Sequence, residues 1–142
     1  MDIKEKFELI KKNTSEIVSE DELNSLLKKK KNPVVYCGYE PNGPMHLGHF
    51  VTITKLMDFA KAGFKVKILL ADLHALLDGV HWEILEKRTE YYKRAIINIL
   101  KILDVDIKKL EFVNGSDIQL NGKYFNDVLK LSSISSISNC KK

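Results

Sequence analysis

Leu23, Leu26 and Leu27 recur at helical spacing inside a charged stretch, and residues 3–12 carry apolar positions on a similar beat. Two N-terminal helices are expected, over 3–12 and 19–31. Ser19 followed three residues later by Glu22 is a capping-box start for the second. Asn32-Pro33 stops that helix, because the residue before proline is pushed out of the α region. Val34 to Tyr39 is short and β-prone, and predicts the first strand. Glu40 to Pro44 is a cluster of turn formers. From about Leu47 the period changes: Phe50, Ile53, Met57 and Ala60 predict a helix that Gly63 ends. Val66 to Leu70 is a nearly continuous apolar run, as expected of a strand buried on both faces of a parallel sheet. Leu73 to Leu77 predicts a short helix punctuated by Gly79. Trp82, Leu85, Tyr92, Ile96, Ile99 and Leu103 mark a long amphipathic one. Leu110 to Val113 reads as a third strand and residues 124–134 as a last helix.

Strands alternating with helices imply a parallel sheet with crossover connections. The fold class expected is α/β: the first half of a Rossmann-like, doubly wound parallel sheet, preceded by two N-terminal helices. Residues 1–32 form the helical extension and 33–142 the Rossmann-like unit.

Composition narrows this little. The chain has 142 residues, of which 44% are hydrophobic and 30% charged, the profile of one ordinary soluble domain. Its apolar runs are far too short for a bilayer, and residues 2–12 mix charges throughout, unlike a signal peptide. A cytoplasmic protein with no membrane partner is expected. Cys37 and Cys140 are far apart and neither lies in a CxxC unit, which argues against a disulfide framework or zinc ribbon. Cys37, inside an apolar strand, reads as a small buried residue. The net charge of +4 permits a polyanion partner, but much of it sits in Lys28 to Lys31 and Lys141-Lys142. A lysine run closing a surface helix reads as a solvated cap that complements the helix dipole.

The informative stretch is Tyr39 to His49, which joins the first strand to the first buried helix. Ligands of open α/β sheets bind beyond the carboxyl ends of the strands, and a helix start offers N–H groups to phosphate. His46 and His49 lie one helical turn apart, and Gly48 between them removes a side chain where a flat ligand could approach. Two imidazole donors aimed at one spot suit a reaction that builds charge on a phosphate as it becomes five-coordinate. A metal site is the alternative, with His74 and His81 the only other histidines to complete it. Incidental surface histidines are a third reading, and they leave the Gly-Pro-x-His-x-Gly-His cluster unexplained.

His46-Leu47-Gly48-His49 resembles the HIGH signature of class I aminoacyl-tRNA synthetases. The string from Gly38 to His49, Leu69 to Ala75, Asn13 to Ile17 and Gly115 to Leu120 are similar to the tyrosyl enzymes of archaea and eukaryotes, in the same order along the chain. This resemblance implies a nucleotide-binding fold of the HUP type and a tyrosine–tRNA ligase activity. His46 and His49 would be catalytic, with Pro41, Gly43 and Gly48 joining them around ATP. Tyr36 would hydrogen-bond the substrate phenol, Gly38 and Glu40 would line the cleft, and Leu69, Asp72 and His74 would wall the tyrosine pocket. From the residues alone, Tyr36 and Leu69 read as core packing. A site that hydrogen-bonds a phenol rejects phenylalanine by roughly 10⁴–10⁵.

The implied substrates are tyrosine, ATP with Mg2+, and tRNA(Tyr), with no permanently bound cofactor and no protein-held metal. A homodimer is implied for the complete protein. The lysine-rich KMSKS loop of the family is absent from these 142 residues. The chain therefore reads as truncated, with little aminoacylation expected of it alone. Half of a doubly wound sheet also leaves an edge strand and an apolar face uncovered. Two rival readings stand beside this one. A small nucleotidyltransferase shares His-x-Gly-His but usually carries a later Ser-Ser/Thr-x-x-Arg element, and no arginine follows Ser132-Ser133 here. A non-catalytic paralogue would bind tyrosine, a nucleotide or a partner chain.

Overall fold

The computed structural model describes residues 1–140. Helices α1 (Ile3–Lys11) and α2 (Glu20–Lys29) come first, followed by strand β1 (Val34–Tyr39). Then follow α3 (Leu47–Lys61), β2 (Lys65–Leu70), α4 (Asp72–Leu77) and α5 (Trp82–Ile102). A 3₁₀ turn over Ile107–Lys109 leads into β3 (Leu110–Asn114), and α6 (Gly115–Gln119), α7 (Gly122–Ile134) and α8 (Ile137–Cys140) close the chain. The three strands are parallel in the order β1-β2-β3. The expected alternation is therefore present, with α6, α8 and the 3₁₀ turn as short elements that apolar periodicity did not mark.

Local signals account for the ends. A complete capping box lies at α1, where Asp2 and Glu5 exchange side-chain and backbone bonds of 2.8 and 2.7 Å. At α2, Ser19 Oγ accepts from the Glu22 amide at 3.3 Å. Gly63, with φ +97°, lets the chain reverse after α3.

The core lies on one face of the sheet. Val66, Ile68 and Leu70 are fully buried there, against Ile53, Leu56 and Ala60 of α3 and Tyr92, Ile96 and Leu100 of α5. This corrects the reading of β2 as buried on both faces: Lys65, Lys67 and Leu69 point to the other side, which is open. Parallel pairing sets Lys67 beside Glu111, and both Lys65 and Lys67 pair with that carboxylate at 2.9 Å. Three further expectations shift. Cys37 is half-buried because β1 is an edge strand. Phe50 is exposed, since the buried stripe of α3 runs through Ile53, Leu56 and Ala60 instead. Trp82 is likewise exposed, because α5 only reaches the core from Leu85 onward.

The N-terminal helices form a second cluster, in which Phe7, Ile10 and Leu27 pack on Ala62 and Phe64. Lys55 of α3 reinforces it, donating to the carbonyls of Ile10 (3.1 Å) and Lys12. At the other end, α7 is exposed along its whole length, Tyr124, Phe125, Val128 and Leu129 included.

Candidate active site

The carboxyl ends of β1 and β2 face the segment 40–46, which rises from Tyr39 and turns into α3. His46 is the N-cap of α3, in extended backbone, and His49 is its third helical residue. The Gly48 amide donates to His46 Nδ1 at 3.1 Å, and the His46 amide donates to His49 Nδ1 at 3.2 Å. This is a capping box in which two imidazoles replace the usual hydroxyl and carboxylate. An N–H can donate only to an unprotonated nitrogen, so each neutral ring carries its proton on Nε2. The rings lie edge to face with centroids 4.2 Å apart.

Gly48 has a structural reason beyond ligand access. A Cβ there would stand 2.9 Å from His46 Cε1 and 3.1 Å from its Nδ1, so any side chain would displace the capping ring.

His49 is held from behind by two phenols. The Tyr39 ring stacks on it at 6.2 Å, and the Tyr92 ring meets it edge-on at 5.6 Å. Tyr39 Oη is bonded to Thr52 Oγ1 at 2.9 Å, and burial raises its pKa well above the ordinary phenol value. Tyr92 is fully buried, is also raised by burial, and places Oη 3.5 Å from His49 Nε2. Burial, with the like charge of His46, pulls the His49 pKa below the 6.5 of a free imidazole. Below pH 6.5 the unfolded chain takes up a proton that folded His49 resists, so stability falls as pH drops toward the folded midpoint; above 6.5 the contribution is complete. A ring titration followed by NMR is expected to put the His49 midpoint under 6.5, and a midpoint at or above it would contradict this packing.

His46, His49, Tyr39 and Thr52 line an open cleft of about 390 Å³, together with Gly38, Glu40 and Asn42. Pro41 is fully buried behind it, and Gly43 faces open space. Glu40 Oε1 is, among the described residues, a buried side-chain oxygen without a hydrogen-bond partner. A buried acceptor left unpaired is costly and marks a place where a ligand donor fits.

The other predicted residues lie on the open side of the sheet or beyond it. Tyr36 is 76% exposed, which removes the core-packing reading for it. Gly38 pairs in register with Leu69, whose Cδ2 a Cβ at Gly38 would approach to 4.0 Å. Parallel register thus puts Tyr36, Gly38 and Leu69 on one face. His74 is exposed on α4. Asp72 is not free to meet a ligand: its Oδ1 accepts from the Leu73 and Ser116 amides (2.9 and 2.8 Å) and its Oδ2 from Ser116 Oγ (2.5 Å). It locks the β2–α4 turn to the β3–α6 turn. It also borders a larger cavity, about 660 Å³, that Trp82, Glu86 and Asn114 line and neither His46 nor His49 touches. The smaller cleft is the one that His46 and His49 line.

Sequence reasoning missed what α5 contributes. Tyr92 was legible only as a core position, while Arg88 and Tyr91 also reach segment 40–46. The available signal was their spacing, three and four residues apart on one helix face.

With this geometry established, comparison with known proteins decides the family. The family model described as tRNA synthetases class I (W and Y) matches residues 28–141. The chain belongs to this family. It is 45% identical over 140 residues to the tyrosine–tRNA ligase of Methanosarcina mazei, covering 97% of this chain and 43% of that one. It is 42% identical to the cytoplasmic tyrosine–tRNA ligase of Gallus gallus, covering 97% of this chain and 26% of that one. Among solved structures, the tyrosyl-tRNA synthetase of Archaeoglobus fulgidus complexed with L-tyrosine superposes with a TM-score of 0.84 at 42% identity. That match covers 97% of this chain and 43% of the other. This synthetase chain thus spans less than half the length of these relatives, and the archaeal tyrosyl resemblance and Rossmann-like fold read from its residues both stand.

Proposed function

We propose that this chain carries the tyrosine- and ATP-activating site of a tyrosine–tRNA ligase. The observation that carries the reading is the reciprocal imidazole cap at the start of α3, where His46 and His49 both line a cleft at the carboxyl end of the sheet. In the reaction, a carboxylate oxygen of tyrosine attacks the α-phosphorus of ATP and the bond to the β-bridging oxygen breaks. Tyrosyl-adenylate forms and pyrophosphate leaves. The tyrosyl group then passes to a ribose hydroxyl of tRNA(Tyr), releasing AMP. His46 and His49 donate to phosphate oxygens as charge builds on them.

Pro41, Gly43 and Gly48 shape the ATP side of the cleft, and Glu40 offers its unpaired oxygen to a substrate donor. Tyr36, with Leu69 and Gly38 on the same sheet face, supplies the phenol partner and the floor for tyrosine. Asp72 orients the turn that bears His74. Mg2+ would accompany the nucleotide as part of the substrate, screening its phosphates. The exposed apolar side chains of α7 support a homodimer of the complete protein. No helix of the described residues is long and apolar enough to cross a membrane.

The test is ATP–pyrophosphate exchange, run on this chain and on a chimera that continues it with the remaining length of the Methanosarcina mazei relative. Tyrosine is expected to drive exchange in the chimera, and tryptophan and phosphopantetheine are not. Exchange driven by either comparison substrate, or none with tyrosine in a folded chimera, overturns the proposal.

A further inference from the structure

The segment between β1 and α3 has little internal support. From Glu40 to Met45 its backbone makes one local bond, from the Asn42 amide to the Glu40 carbonyl at 2.9 Å. Pro41 and Pro44 have no N–H to offer. The shape of this loop therefore has to be imposed from outside.

The outside contacts come from one face of α5. Arg88 Nη1 donates to the Asn42 carbonyl at 2.5 Å, and the Met45 amide donates to Tyr91 Oη at 3.3 Å. These two anchors bracket Gly43-Pro44. One residue further along, Tyr92 backs the His49 ring. The three residues recur at i, i+3 and i+4, and Ile96 and Leu100, with Tyr92 itself, bury the same helix in the core, so the anchors sit on a rigid element. Among the described residues Arg88 enters no ion pair, leaving its guanidinium to the carbonyl. A charge-assisted bond of that kind is stronger than a neutral one.

We propose that α5 is a clamp on the nucleotide loop, in which Arg88 and Tyr91 are positioning residues that hold Asn42–Met45 so that His46 and His49 cap α3 in their paired geometry. The catalytic meaning of the clamp rests on the adenylating reading above; its structural content does not.

Two measurements separate these. The first is amide hydrogen exchange by NMR on the full 142-residue chain. In Arg88→Met the amides of Met45, His46 and Gly48 are expected to exchange about tenfold faster, the effect of losing one bond to a charged group. Tyr91→Phe, which deletes a single oxygen, exposes the Met45 amide in the same way. Amides of β2 stay protected, Arg88→Lys recovers part of the loss, and Arg94→Met, which removes only the exposed pair with Glu90, changes nothing. Unchanged protection of the three loop amides in both variants overturns the clamp. So does a loss spread evenly over β1 and β2, which marks a merely structural role. The second measurement is exchange kinetics in the chimera. Arg88→Met is expected to raise KM for ATP and lower kcat, with its melting temperature unchanged. A chimera inactive before any substitution defeats the adenylating reading, while the amide data still decide the clamp.

Discussion

Replacing His49 or His46 by asparagine is expected to slow tyrosine-dependent ATP–pyrophosphate exchange in the chimera about 10²–10³-fold while leaving the fold intact. Asparagine is chosen because its side-chain oxygen can stand in for imidazole Nδ1. The cap bond from the Gly48 amide, or from the His46 amide, is then kept, while the Nε2 donor is lost. One preorganised donor aimed at transition-state charge is worth about 3–4 kcal/mol, which sets the size of the effect. The loss should appear in kcat at least as much as in KM, because the interaction strengthens only as the phosphorus becomes five-coordinate. Retention of more than a tenth of the activity in both variants would mean that the imidazoles act in capping alone.

Ile68→Ala should unfold much of the population in mild urea. Ile68 is fully buried at the centre of the middle strand, in register with Cys37 on one side and Phe112 on the other. Both flanking strands and the helices above border the hole, and the backbone hydrogen bonds of β2 prevent it from collapsing. Such a truncation costs about 2–5 kcal/mol, against a total stability of about 5–15 kcal/mol for ordinary domains. The uncovered second face of the sheet puts this chain toward the low end. The matched control is Leu69→Ala, one residue along on the open face, where the partly exposed side chain leaves no sealed cavity. The urea midpoint should fall sharply for Ile68→Ala and only slightly for Leu69→Ala, with similar denaturant slopes. Equal losses at both positions would mean that the second face is covered after all.

The contrast between those neighbours shows where sequence reasoning stopped. Val66 to Leu70 looked like a strand buried on both sides because four of its five residues are apolar. Lys67 was the dissenting position, and its meaning became clear only with the register that sets it beside Glu111. The face of α3 was misjudged for a similar reason. A helix of mixed apolar residues offers more than one stripe, and β2 with α5 selected the one through Ile53, Leu56 and Ala60 rather than Phe50.

The candidate site divides in the same way. His46 and His49 were legible because a strand-to-helix turn with His-x-Gly-His is a local pattern, complete within four residues. Their mutual capping, and the need for Gly48 beside His46, are properties of the folded turn that involve no distant partners. Arg88 and Tyr91 were not legible, because each meets the loop across 46 residues of chain. Nor was the lock of Asp72 on Ser116, which spans 44. By itself, then, the sequence determined the order of the elements, the parallel α/β class and the two-histidine turn, since period, punctuation and motif act over a few residues. Only the tertiary structure decided which face each element buries and which helix steadies the loop, because both depend on contacts that the chain makes after it has closed on itself.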